Sequence, residues 1–374
     1  MKVPGAGVFL LLPALTLGCV GGSPRLAGTR ITPEDLLQGA VLGLPDEPRS
    51  VPGEAEVLGL SPEMRAFLDA HVDPGASDDL KLKQLSRAVF DKDAFGLHYD
   101  ETTRTAAETF RMRRGNCLSF STMFVAMARA VGLHAQYQMV DVPPEWSLDN
   151  ETFILNRHIN VRVDRQPVGV LIVDFNMVDF RANYDLHILT DGQALAQYYN
   201  NLGVERMQEG DTAGALASFR RALADSESRF SPAWTNLGTL YLRHAQLAFA
   251  EAAFLEARRA DRGNLVAMSN LAHLYDRLGD TERAAAFRRK VARHRWRNPY
   301  YHYQIARRAF DGQDYTTAIR HLRIAISQKR NDDRFYSLLG LCYRQEGNEG
   351  AARQWLRRAR DVAAAHGVKP QSPG

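Results

Sequence analysis

Apolar residues keep two different periods along this chain, and the change between them divides it. From Ser61 to Phe95 they recur at helical spacing, in Met64, Phe67 and Leu68 and again in Leu82, Leu85, Val89 and Phe90. Residues Thr102–Met112 read as a further helix, which Gly115-Asn116 stops. The next helix runs from Cys117 to about Ala130, with Phe120, Phe124, Met127 and Val131 as its buried stripe and Gly132 as its stop. Beyond Gly132 the pattern turns to β-type runs over 134–142, 153–163 and 168–175, with Pro143-Pro144 and Gln166-Pro167 as loops. In 158–163 the alternation puts Ile159, Val161 and Val163 on one face and His158, Asn160 and Arg162 on the other. Residues 158–163 and 170–175 form a predicted hairpin. A helical front on a small, mostly antiparallel sheet makes an α+β domain spanning 55–190.

From Gln197 the sequence repeats. Asn201-Leu202-Gly203, Asn236-Leu237-Gly238, Asn270-Leu271-Ala272, Gln304-Ile305-Ala306 and Leu338-Leu339-Gly340 follow one another at a spacing of 35 and then 34. Ala215, Ala250, Ala284, Ala318 and Ala352 recur in phase, and Gly-Asp or Gly-Asn turns stand at 210–211, 279–280 and 347–348, with Gly312 near the equivalent spot. Small residues at set places let two antiparallel helices approach closely. This pattern resembles the tetratricopeptide repeat, which implies an all-α solenoid of about five repeats over 196–364, with a disordered tail over 365–374. Phe219, Trp234, Tyr241 and Phe254 are then core. Arg288 replaces a bulky residue, with Phe287 beside it as its substitute. Asn201, Asn236 and Asn270 are expected on the concave side, either bonding a peptide backbone or lining a groove with no specific ligand.

Charge separates the same two parts. Residues 196–374 carry 29 Lys+Arg against 18 Asp+Glu, whereas the remainder carries 18 against 25. The basic part is either a solvated surface or a face for an acidic partner. No basic patch interleaved with aromatics points to nucleic acid. The N-terminus is read as a targeting segment: Lys2, a short apolar run from Val8 to Leu17, then Gly18-Cys19. It resembles a bacterial lipoprotein signal, which implies cleavage of 1–18 and lipid modification of Cys19; an ordinary secretory signal cut nearby is the alternative. Residues 19–54, rich in Gly, Pro and Arg and with one short helical candidate around Pro33–Gly39, are read as a tether. With Cys19 lipidated, Cys117 and Cys342 remain, and Cys342 falls at a core position of the array.

Cys117 tops its helix at the N-terminus, where unpaired backbone N–H groups favour an anion and lower a thiol pKa. His158 shares the less apolar face of its strand. A carboxylate at Asp174, at the end of Leu171-Ile172-Val173, is costly to bury without a partner, and the neighbouring histidine is the natural one. Asn176 and Asp179 are alternative orienters, and His98, His134 and His187 are competing histidines. Gly115-x-Cys117 with Ser121, then Arg129-Ala130-x-Gly132-Leu133-x-Ala135, then His158-x-x-Val161-x-Val163 and Val173-Asp174 resemble the transglutaminase-like superfamily. The resemblance covers about residues 80–180. It implies a papain-like triad with Cys117 as nucleophile, His158 as base and acid, and Asp174 as orienter. The family's upstream oxyanion side chain has Tyr99 and Asn116 as candidates here, and Ile159 stands where an aromatic often follows the histidine.

The expectation is an exported, lipid-anchored cysteine enzyme on a bacterial cell membrane, at the periplasmic face of the outer membrane if there are two. It would act on peptide or side-chain amides, with hydrolysis favoured over crosslinking and the repeats recruiting a protein partner or substrate. The rival is an inactive adaptor that works through the repeats alone. No cofactor is implied: no His/Cys pair has metal-ligand spacing and no phosphate loop occurs.

Overall fold

The structure, a computed structural model, describes residues 31–44, 49–91, 95–142, 145–146, 153–154, 157–165, 169–175, 184–226 and 229–365. The proposed signal, Cys19, Asn176, Asp179 and the tail beyond residue 365 lie outside them. The front domain opens with helices α1 (Pro33–Gln38), α2 (Glu54–Val57), α3 (Pro62–His71) and α4 (Asp78–Phe90). A short strand β1 (His98–Tyr99) follows, then α5 (Ala106–Met112), β2 (Arg114–Gly115) and α6 (Cys117–Ala130). Six strands come next: β3 (His134–Asp141), β4 (Glu145–Trp146), β5 (Phe153–Ile154), β6 (Arg157–Arg165), β7 (Gly169–Val173) and β8 (Leu186–Leu189). Four of them form an antiparallel sheet in the order β7-β6-β3-β8.

The helix of Thr102–Met112 is shorter than the periodicity suggests. Thr105 caps it, its hydroxyl accepting from the Glu108 amide while the Glu108 carboxylate accepts from the Thr105 amide, so α5 starts at Ala106. In α6 every side chain from Leu118 to Ala128 is buried, where a stripe was expected. The helix lies across β3 and β6 with α5 on its other side, so it has no solvent face to keep polar.

The reading of 19–54 as a tether is overturned for its described part. Thr32 and Asp35 form a capping box that starts α1, Gly39 ends it at φ 77°, and Leu36 is 0% exposed. The Leu36 carbonyl accepts from Tyr241 Oη at 2.6 Å, and the Pro52 carbonyl from Tyr199 Oη at 2.7 Å. A segment bonded and buried in this way is docked against the repeats.

The array consists of five helix pairs: α7 (Asp191–Gln208) with α8 (Thr212–Ala224), α9 (Ser231–Arg243) with α10 (Leu247–Ala260), α11 (Leu265–Arg277) with α12 (Thr281–Trp296), α13 (Pro299–Asp311) with α14 (Tyr315–Gln328), and α15 (Asp333–Gln345) with α16 (Glu349–Ala365). Gly210, Gly279 and Gly347 turn at positive φ, as the repeat alignment predicts, but in the fourth pair Gln313 (φ 63°) turns in place of Gly312. Phe287 does fill the space left by Arg288: its ring is buried and stacks on Tyr275, while Arg288 pairs with Asp276 at the surface. No linker separates the two parts. β8 runs through Thr190, the N-cap of α7, directly into the array, and Arg129 at the end of α6 clasps Asp191 through two bonds of 2.7 and 2.9 Å. One apolar core continues from Leu36 through the sheet to Val291, and a second spans Ala306 to Cys342.

Candidate active site

Cys117 is the first residue of α6 and is half-buried. The turn before it is tightly specified. Asn116 caps the helix, its Oδ1 accepting from the Ser119 amide at 2.9 Å and from the Ser119 hydroxyl at 3.0 Å. Its Nδ2 donates to Thr103 Oγ1 at 2.9 Å and to the Glu101 carbonyl at 3.4 Å. Both ends of that amide are thus committed to the cap, which overturns Asn116 as an oxyanion donor. Gly115 is demanded by the same turn, because a Cβ there would lie 2.7 Å from Ser119 Cβ. Tyr99 runs beside Gly115 in the β1–β2 pairing and is 40% exposed. The cap takes up the amide of Ser119, leaving those of Cys117 and Leu118 as first-turn donors beside the sulfur.

β6 brings the histidine. His158 lies opposite Val140 of β3 and is 6% exposed. Its Nε2 donates to both oxygens of Asp174 at 2.8 Å. The Cys117 thiol faces the same imidazole and the Ile159 amide, and both act on its ionisation. Ser121 Oγ donates to the Ile159 carbonyl at 3.2 Å, so the backbone polar groups of Ile159 tie α6 to β6 beside the site.

Asp174 follows directly on the last residue of β7, whose Val173 pairs with Val161. The hairpin of β6 and β7 therefore sets histidine and carboxylate side by side, as the sequence predicts. Two further residues hold the acid. Asn160 Nδ2 donates to Asp174 Oδ2 at 3.0 Å. Phe175 packs its ring against Phe90, Phe120 and Phe124, which anchors the backbone next to the carboxylate. The alternation of β6 puts Asn160 on the face of His158, a signal that pointed to this contact; nothing in the sequence pointed to Phe175.

Burial pushes the Cys117 thiol up, but the hydrogen bond and charge of His158 and the Ile159 amide outweigh it and hold the thiol below its ordinary range. Burial pulls His158 down, while the bonds to Asp174 and Cys117 raise it well above the usual imidazole value. Both shifts favour a thiolate facing an imidazolium. The competing histidines lie elsewhere. His98 is exposed on β1, His134 is exposed at the far end of β3, and His187 pairs with Asp141 at 3.0 Å on the surface. In the array, Asn236 Nδ2 donates to Asn200 Oδ1 at 2.8 Å, so part of its expected peptide-bonding capacity is used between repeats. Asn201 and Asn270 are partly exposed on α7 and α11.

Comparison with known proteins agrees with these two halves. Residues 69–169 match the family model described as the transglutaminase-like superfamily. Residues 196–224 and 303–367 match tetratricopeptide repeat models. No curated protein matches the chain. Among solved structures, a MamA protein is 16% identical over 48% of this chain and 97% of its own, with a TM-score of 0.25. YrrB, described as a TPR protein with an unusual peptide-binding site, is 19% identical over 46% of this chain and 92% of its own, with a TM-score of 0.25. BtubC from P. vanneervenii is 18% identical over 49% of this chain and 85% of its own, with a TM-score of 0.27. The chain is a transglutaminase-like domain followed by tetratricopeptide repeats.

Proposed function

We propose that the front domain is a cysteine acyl-transfer enzyme acting on peptide or side-chain amides, and that the repeats recruit its protein substrate or partner. The observation that carries this reading is the buried His158–Asp174 pair, bonded at 2.8 Å, facing a half-buried Cys117 whose thiol it holds below its ordinary range. The Cys117 thiolate attacks the amide carbonyl, and the oxyanion is met by the amides at the start of α6. His158 gives its proton to the leaving amine as the carbon–nitrogen bond breaks, leaving a thioester on Cys117. Neutral His158 then takes a proton from water, whose oxygen attacks the thioester, releasing the acid and restoring the thiolate–imidazolium pair. An amine in place of water gives transfer; hydrolysis is the outcome proposed here.

The test is alkylation of the two thiols by iodoacetamide, mapped by mass spectrometry. Cys342 is an internal control: it is 0% exposed, and burial pushes its thiol up to about 11. At pH 6 Cys117 is expected to label at least tenfold faster than Cys342 and than free cysteine, and His158→Ala to abolish the excess. Labelling no faster than free cysteine, unchanged in the variant, would replace the enzyme with the adaptor.

The site is proposed to work at a membrane, through cleavage of 1–18 and lipid on Cys19. The support is the short apolar run ending in Gly18-Cys19. Cys19→Ala is expected to move the protein from the membrane fraction to the soluble one. An unchanged distribution would remove the anchor while leaving the chemistry intact.

A further inference from the structure

The second and third repeats form an open cavity of about 160 Å³ away from the Cys117 elements. Arg258 and Arg262 line it from the end of α10, and Lys290, Arg293, His294 and Arg297 line it along and just beyond α12. Met268 of α11 completes the wall, and no carboxylate takes part.

Basic residues near helix C-termini are ordinary, since they complement the helix dipole. That accounts for each cation singly but not for five permanent positive charges around one cavity without a counterion. Neighbouring arginines are neutralised: Arg259 by Glu256, Arg283 by Glu251 and Asp280, and Arg288 by Asp276. Among the described residues, none of the five lining cations makes an ion pair. Arg258 and Lys290 instead lie over the Phe287 ring, with Arg258 4.9 Å and Lys290 4.6 Å from its centroid. The ring holds both side chains in place. The Arg258 Nε is buried and has no hydrogen-bond acceptor.

We propose that this cavity binds a phosphate-bearing anion with at least two negative charges, either soluble or as a phospholipid headgroup. Four guanidinium groups match phosphate oxygens as paired donors, and five positive charges exceed what one carboxylate can offset. The cavity is lined mainly by the second helices of its repeats and uses none of Asn201, Asn236 or Asn270, so it is separate from the expected peptide groove.

Calorimetric titration of the full chain with inorganic pyrophosphate at low salt tests this. One saturable site is expected, weakening as salt rises. Arg293→Gln with Arg297→Gln is expected to weaken binding at least tenfold. The exposed pair Arg357→Gln with Arg358→Gln on α16 is expected to change it less than twofold. In the wild-type chain, pyrophosphate should also protect Lys290 from acylation, a readout that needs no variant to fold. Absence of a saturable site, equal losses in the two pairs, or unprotected Lys290 would overturn the proposal. So would binding of a polyglutamate peptide with none of pyrophosphate. Co-sedimentation with phosphatidic acid vesicles, competed by pyrophosphate, assigns the headgroup; pyrophosphate binding without vesicle binding assigns a soluble phosphate.

Discussion

The buried Asp174 carboxylate accepts from His158 Nε2 at 2.8 Å and from Asn160 Nδ2 at 3.0 Å. A hydrogen bond to a charged group in a buried site contributes about 2 kcal/mol. Asn160→Ala is therefore expected to lower stability by about that much in urea unfolding and to slow Cys117 alkylation at pH 6 several-fold, because the imidazole loses part of its support. Full stability with full reactivity would show that Asn160 does not position the acid. The pH dependence follows from two opposed shifts. Cys117 is held below its ordinary value, so the thiolate is present above that lowered pKa; His158 is raised to about 10, so the imidazolium persists up to there. Activity should rise on an acidic limb below the ordinary thiol range and fall near pH 10. For stability, the raised His158 contributes fully below its ordinary 6.5 and loses that contribution as pH rises through about 10. The lowered Cys117 contributes fully above its ordinary value and loses that contribution on acidification through its folded one. Cys117, His158 and Asp174 were legible in the sequence because each breaks the pattern of its own element. The cap at Asn116 was visible only as a polar residue beside the thiol, and its two bonds to Ser119 and Thr103 decide that it serves the turn.

At the scale of the element, each repeat is a close approach of two helices, and the facing pairs show what sets the distance. A Cβ on Gly203 would lie 2.5 Å from Phe219, and one on Gly238 2.6 Å from Phe254. Where the small residue becomes Ala272 or Ala306, the facing position holds Arg288 or Leu322 in place of phenylalanine. The extra methyl group and the missing ring offset each other. Gly340 departs from this pairing, since it faces Leu356 at 2.7 Å. Gly238→Ala is expected to cost about 1–3 kcal/mol, because Phe254 is fully buried and its ring has nowhere to withdraw. Adding Phe254→Leu should recover part of that loss, so that the two changes together cost less than their sum in urea unfolding. Additive costs would mean that the helices adjust independently of this contact. The repeat period made these pairs readable, since 34 residues bring the same two positions together in each unit. The fully buried α6 was not readable in the same way. Its stripe of Phe120, Phe124 and Met127 says which side packs on the sheet, but the small Ser119, Thr122 and Ala126 do not reveal that α5 and its loop cover the other.

The whole molecule divides at a different place from its sequence boundary. Composition and periodicity change near residue 190, yet one core crosses that point, with Tyr198 and Tyr199 of α7 buried in it alongside Leu133 and Val163. Thr103 donates its amide to Glu205 of α7 at 2.8 Å and receives Asn116 on its hydroxyl, so the first repeat is bonded through one residue to the cap beneath Cys117. The apolar core breaks instead between α12 and α13. There the Nδ1 atoms of His302 and His321 stand 3.0 Å apart, beside a Trp296 that is 54% exposed. The last two repeats touch the front domain again through polar and cation–ring contacts. Arg334 Nη1 donates to Tyr184 Oη at 3.1 Å and lies over its ring, and Lys329 pairs with Asp185 at 3.3 Å. Tyr184 packs with Val140, the register partner of His158, so this contact ends one side chain from the candidate site. A chain ending at Arg297 keeps the whole first core and is expected to unfold cooperatively, with Cys117 alkylation at pH 6 within about twofold of the full chain. Amides of 184–189 should exchange faster in it, because Arg334 and Lys329 are gone. A chain ending at Thr190 loses Tyr198 and Tyr199 from under the sheet and the partner of Thr103, and is expected not to fold. If the shorter chain folds and labels normally, the array is a separable module. If the longer one loses its reactive thiol, the last two repeats are part of the site.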